Sequence, residues 1–162
     1  MPGTLSTSQN AHGHLVGATL DFATVKKLLT GHRALVMDED SASFGRLFLS
    51  LSTAGCPATL ARRWAQVDPA VRRVNPTLVI FSTHLEEMAG TEIVRRLREM
   101  PATRTAILVA RADRESKSER RKLLDGGCDG YLSRPADRYL FAMDLLAGTP
   151  RLLSAADNHA SF

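Results

Sequence analysis

Asn75-Pro76-Thr77-Leu78-Val79-Ile80-Phe81-Ser82-Thr83-His84-Leu85-Glu86-Glu87 is the stretch that decides the fold. Leu78 to Phe81 run uninterrupted between a proline turn and a polar loop, and end on the small hydroxyl of Ser82. An apolar run this short, with no polar alternation, predicts a strand buried on both faces, the mark of a parallel sheet. In such sheets the residue at the strand's carboxyl end faces the crevice where ligands bind. Ser82 is therefore the first candidate functional position.

Working outward, the same punctuation recurs at roughly twenty-residue spacing. Upstream, Ala34 to Met37 form a short buried strand that runs into Asp38-Glu39-Asp40. Ser41 or Ser43 then starts a helix with Phe44, Leu47, Phe48 and Leu51 at helical spacing, stopped by Gly55. A weaker strand covers Ala58 to Ala61, and Asp68-Pro69 opens a helix through Val71 and Val74. Downstream of Ser82, Thr91 is placed to cap a helix with Ile93, Val94 and Leu97 inward, ended by Pro101. A fourth strand is expected over Ala106 to Ala110, a basic helix over Glu115 to Leu124 with a stop at Gly126-Gly127, a fifth strand at Tyr131-Leu132, and a last amphipathic helix over Tyr139 to Leu146. Five strands alternating with five helices predict βαβ units with right-handed crossovers, hence a doubly wound parallel sheet of the α/β class.

Ahead of this domain, Asp21 can cap an extra helix carrying Phe22, Val25, Leu28 and Leu29 on one face, with Gly31 ending it. The expected organisation is a flexible segment over 1–18, the extra helix over 19–31, the α/β domain over 32–148 and a tail over 149–162 in which nothing is periodic. His12 and His14 could share a metal, but an isolated His-x-His in a polar segment is more often solvated.

Charge is unevenly placed. The chain nets +4, yet Thr91 to Leu124 holds ten Lys/Arg against five Asp/Glu, so the surplus sits in that window and the rest is nearly neutral. Cys56 and Cys128 lie in no metal or redox spacing and read as small buried thiols of a reduced compartment. No apolar run approaches a membrane span and the start has no basic or apolar region of a signal peptide, so the expected location is the cytoplasm. No glycine-rich phosphate loop follows the first strand, which argues against a dinucleotide or nucleoside-triphosphate site. The strand ends on acids instead, which suit a hard cation and repel phosphates.

These motifs resemble those of the receiver domain of two-component response regulators, the CheY-like family. The resemblance rests on Leu35 to Asp40, on Asn75 to Phe81 with Gly90 eight residues after Ser82, on Ile93 to Arg98 with Pro101, and on Gly127-Cys128-Asp129-Gly130-Tyr131-Leu132-Ser133-Arg134-Pro135. It spans Arg33 to Gly148, about seven tenths of the chain. It implies a flavodoxin-like sheet of order 2-1-3-4-5 with five helices, plus the extra N-terminal helix, and a non-enzymatic role as an adaptor in a bacterial signal-transduction pathway.

What the resemblance implies about chemistry is mostly negative. In the family an aspartate at the end of the third strand accepts phosphate, and Mg²⁺ is held by it, by two acids after the first strand and by a backbone carbonyl two residues past the acceptor. Asp38 and Glu39 match the paired acids, His84 matches the carbonyl donor, but the acceptor position is Ser82. A serine hydroxyl is neutral at pH 7 and forms no acyl phosphate, which argues against Mg²⁺ and phosphorylation here. The hydroxyl residue ending the fourth strand falls on Arg111 or Ala110, and the lysine after the fifth strand is Arg134, a planar fork in place of a point charge. The expectation is a pseudo-receiver with no metal and no catalytic residues, its pocket of Asp38, Glu39, His84, Arg111 and Arg134 held by ion pairs. Phosphorylation at a non-standard residue is the third reading.

Function is then expected beside the pocket. The fourth helix, fifth strand and fifth helix would present Arg114, Lys117, Arg121, Tyr131, Arg134, Pro135 and Arg138 to a signalling protein such as a kinase, output or motor component. The same residues suit an anionic cyclic dinucleotide as the alternative. Glu115 and Glu119 spend part of that charge on helix-surface pairs. Double-stranded DNA is not expected, because no reading element is present and the net charge is small. A homodimer stays open. Trp64, flanked by Arg62 and Arg63, is expected half-buried at a sheet edge.

Overall fold

A computed structural model describes residues 20–133 and 141–159. The expectations for 1–18, including His12 and His14, and for Arg134, Pro135 and Arg138 lie outside the described residues.

The apolar runs become strands β1 (Ala34–Met37), β2 (Ala58–Ala61), β3 (Leu78–Ser82), β4 (Ile107–Arg111) and β5 (Gly130–Leu132). They form one parallel sheet of order β2-β1-β3-β4-β5. β1, β3 and β4 are buried along their whole length, as expected of strands covered on both faces. The helices are α1 (Phe22–Leu29), α2 (Ser41–Thr53), α3 (Val67–Val74), α4 (Gly90–Glu99), α5 (Lys117–Asp125), α6 (Phe141–Ala147) and α7 (Pro150–His159). One apolar layer, with Val79, Phe81, Ile93, Leu97 and Leu123, lies between the sheet and α3, α4 and α5. The other, with Val36, Leu47, Leu51, Ile80 and Leu145, lies under α2 and α6 and takes in Val25 and Leu29 of α1 and Leu152 of α7.

Four local differences from the sequence reading have physical reasons. β4 is shifted one residue, to Ile107–Arg111, because the ladder with β3 continues until Ser82 pairs with Arg111. α5 begins at Lys117, since the Ser116 hydroxyl accepts the Glu119 N–H and serves as cap where Glu115 cannot. α4 begins at Gly90 after Ala89, so Thr91 sits in the first turn and is not the cap. The segment expected as an aperiodic tail contains α7: two leucines are too few for a periodicity signal, but Leu152 is fully buried against the core. Arg151 fixes this helix by donating to Asp129 at 3.0 Å and to the Thr105 carbonyl at 3.0 Å, while Arg98 holds the same carboxylate at 2.9 Å. Among the described residues no helix is long and apolar enough to cross a membrane.

Candidate functional site

The carboxyl ends of β1, β3 and β4 open into a polar cavity of about 260 Å³. The register sets its floor: Met37 pairs with Phe81 and Ser82 with Arg111, so Asp38, one residue past β1, stands beside both. All three residues line the cavity, with His84, Glu39 and Arg46 around them.

At the centre is an ion pair. Arg111 donates from one terminal nitrogen to Asp38 Oδ2 at 2.5 Å, and the two side chains keep only 7% and 6% of their exposure. The other Asp38 oxygen accepts the Asp40 N–H at 2.9 Å, so both carboxylate oxygens are engaged. The second terminal nitrogen of Arg111 lies 3.5 Å from the exposed Asp113. A charge-assisted bond of this kind is stronger than a neutral one, and strongest where water is scarce.

Among the described residues Glu39 meets no arginine side chain with its carboxylate. Its Oε1 accepts the backbone N–H of Glu86 at 3.0 Å, and its carbonyl accepts from Arg62 at 3.0 Å. The neighbouring Glu87 accepts the Trp64 N–H. Two carboxylates thus tie the β3–α4 loop to the end of β1 and to the β2–α3 corner. Trp64 is half-buried, as expected, and the Arg96 guanidinium lies 5.4 Å from its ring centre, within cation–π range. Ser82 is buried and its Oγ accepts the His84 N–H at 3.2 Å, while the His84 side chain is exposed. Among the described residues no three His, Cys, Asp or Glu side chains are grouped to hold a metal ion.

The basic face is only partly as expected. Arg114, Lys117 and Arg121 are exposed, and Arg121 lies 3.8 Å from Asp125. Tyr131 is not an exposed anchor. It is 5% exposed, its hydroxyl donating to Glu119 at 3.1 Å with the Arg114 carbonyl 3.3 Å away. Burial, and then the Glu119 carboxylate, push its phenol up to about 12. Sequence reading could not see this, because an aromatic in a three-residue strand packs inward or outward depending on what the next helix offers.

Four lining residues were not expected in the pocket: Asp40, Ser43, Arg46 and Asp113. The acids after β1 could have pointed to Arg46, a cation in the first half of α2, and Arg111 to Asp113, an acid two residues on. The buried thiols are as read: Cys56 is pushed up to about 12 by burial, and burial raises Cys128 as well.

No family model matches the chain. In sequence it is similar to response regulator MprA of Mycobacterium sp. (strain KMS), 34% identical over 121 residues that make up 75% of this chain and 50% of that protein. It is also 28% identical over 103 residues to an uncharacterized 14.6 kDa protein of Leptolyngbya boryana, 64% of this chain and 79% of that one. The chain spans about half the length of the named response regulators it matches. Among solved structures it superposes on a putative response regulator of Chloroflexus aurantiacus with a TM-score of 0.64 at 21% identity, covering 72% of this chain and 95% of that one. The chemotaxis response regulator CheY4 of Vibrio cholerae gives 0.62 at 17% identity over 76% and 99% of the two chains. Sheet order and sequence similarity agree: the chain carries a receiver domain of the response-regulator (CheY-like) family.

Proposed function

We propose that this receiver domain works as a pseudo-receiver, a docking module whose state is set by an internal ion pair instead of by phosphorylation. The observation that carries the reading is the buried Asp38–Arg111 pair beside Ser82. A family Mg²⁺ ion does not fit this donor set. Both Asp38 oxygens are engaged, Glu39 is spent on the Glu86 amide, and a guanidinium stands where a cation would be repelled. Arg111 is a tethered cation that neutralises the pocket permanently. Ser82 supplies no carboxylate to be phosphorylated to an acyl phosphate.

Output is then a matter of surface. Arg114, Lys117 and Lys122 are exposed on and just before α5, which makes them available to an acidic surface of a signalling partner. The inward Tyr131 takes away the stacking platform that a cyclic dinucleotide would use, which favours a protein over a nucleotide.

The test is incubation with acetyl phosphate and Mg²⁺ followed by intact mass. The wild type is expected to gain no phosphoryl group, whereas the double variant Ser82→Asp/Arg111→Thr, which restores the acceptor and removes the tethered cation, is expected to gain one. A base-labile phosphoryl group on the wild type overturns the proposal.

A further inference from the structure

Glu39 lines the pocket, yet its hydrogen bonds lead out of it in two directions. Its Oε1 accepts the Glu86 N–H at 3.0 Å in the β3–α4 loop, and its carbonyl accepts from Arg62 at 3.0 Å at the β2–α3 corner. Both paths end on Trp64. In the loop, the neighbouring Glu87 accepts the Trp64 N–H with its carboxylate. At the corner, the Arg62 N–H donates to Gln66 Oε1 at 2.7 Å and so closes the single 3-10 turn (Trp64–Gln66) that carries the indole. Arg96 of α4 holds the indole from a third side, its guanidinium 5.4 Å from the ring centre. Leu85, 7% exposed, anchors the loop in the same apolar layer against which Trp64 packs.

These contacts begin one residue from the ion pair. Asp38 directly precedes Glu39, and its two oxygens are taken by Arg111 at 2.5 Å and by the Asp40 N–H at 2.9 Å. The pair therefore fixes residues 38 to 40, and with them the place of the Glu39 carboxylate. Without Arg111, Asp38 is a buried charge that has lost its partner, and such a group moves toward water or toward new donors. Either movement displaces Glu39. Among the described residues no such route runs from the pocket toward β5: Tyr131 pairs with Ala110 in the ladder but lines no part of the cavity, and its hydroxyl is bonded to Glu119. We propose that Glu39 couples the pocket to the β2–α3 corner, so that the state of the Asp38–Arg111 pair is read at Trp64. Such coupling is carried by a continuous chain of hydrogen bonds and is reciprocal, so a partner that binds at this corner and displaces the indole weakens the pair in the pocket. The surface that carries the signal then lies at the β2 edge of the sheet, opposite β5. The coupling rests on the pseudo-receiver reading, in which the ion pair sets the state of the domain.

Trp64 is the only tryptophan of the chain, so its fluorescence reads this corner alone. Glu87→Ala removes the acceptor of the Trp64 N–H and sets the reference: emission is expected to move to longer wavelength and quenching by acrylamide to rise. Arg111→Ala and Glu39→Ala are expected to move both readings the same way, although the bonds of neither side chain reach Trp64. The Arg111→Ala/Glu39→Ala double variant should shift no further than the larger of the two single shifts, because both act through one carboxylate. Leu152→Ala, which loosens the core at α7, is expected to keep the emission of the wild type. Circular dichroism checks that each variant is folded, and the half-buried Glu39 keeps the test decisive should Arg111→Ala fail to fold. Unchanged emission in Glu39→Ala overturns the proposal. So do additive shifts in the double variant, and so does a shift in Leu152→Ala, which would make Trp64 a reporter of general loosening. A phosphoryl group gained by the wild type from acetyl phosphate would instead sink the pseudo-receiver reading, and the emission shifts would still be read independently of it.

Discussion

Arg111 is the last residue of β4 and the one that gives the pocket its character. Its guanidinium is too buried to be left unpaired and is satisfied by Asp38, while Asp38 in turn depends on it. Breaking a buried pair from one side leaves an uncompensated charge, which costs about 3–5 kcal/mol, whereas replacing both partners by apolar groups of similar volume is often neutral. Arg111→Ala is therefore expected to lower stability by about 3 kcal/mol in urea melts, toward the small end of that range because the pair borders an open cavity. Asp38→Leu/Arg111→Leu should recover most of the loss. Equal losses in the single and double variants would show that the pair is not what holds this end of the sheet. The pairing itself was legible in sequence, since an arginine ending β4 and acids ending β1 must meet if the strands flank β3. The partner of Glu39 was not, because a bond to the Glu86 amide depends on how a seven-residue loop folds back, and no periodicity encodes that.

At the scale of elements, strands and most helices could be read because burial on two faces, or on one helical stripe, leaves a pattern in the residues. α7 could not, because its anchoring is carried by Arg151 and Leu152 against distant groups and not by a repeated spacing. The inward Tyr131 is a similar case and joins two elements. It lies in β5, and its hydroxyl bonds to Glu119 of α5. The phenol is raised to about 12 in the fold, against about 10 in an unfolded chain. A group whose pKa is raised by folding binds its proton more tightly in the native state, so its contribution is complete below pH 10 and is lost as pH rises toward 12. Phenolate absorbance should thus show Tyr131 ionising well after free tyrosine, and stability should fall over that window. In Tyr131→Phe this part of the fall should be absent. Ionisation of Tyr131 near its ordinary value would mean that the ring swings out in solution and would return it to the exposed face.

For the whole molecule the question is what α1 and α7 add to a receiver domain. Neither belongs to the alternating β-α series, yet both put leucines into the layer beneath α6: Leu29 and Leu152 are fully buried in the same apolar cluster. Asp129 pins α7 from the other side through Arg151 and so ties it to the amino end of β4. The two added helices therefore form one shared layer, and each covers surface that the other would leave open. Leu29→Ala and Leu152→Ala should each destabilise the chain by about 2–5 kcal/mol, since each leaves a cavity in close-packed surroundings. Because the sites share one cluster, the double variant should fall short of the sum, with a coupling of about 0.5–3 kcal/mol in a denaturant double-mutant cycle. Additive losses would mean that α1 and α7 dock independently on the receiver domain. Coupling of that size, with a single cooperative transition kept in all four proteins, would mean that a segment before β1 and a segment after α6 act as one element of the fold.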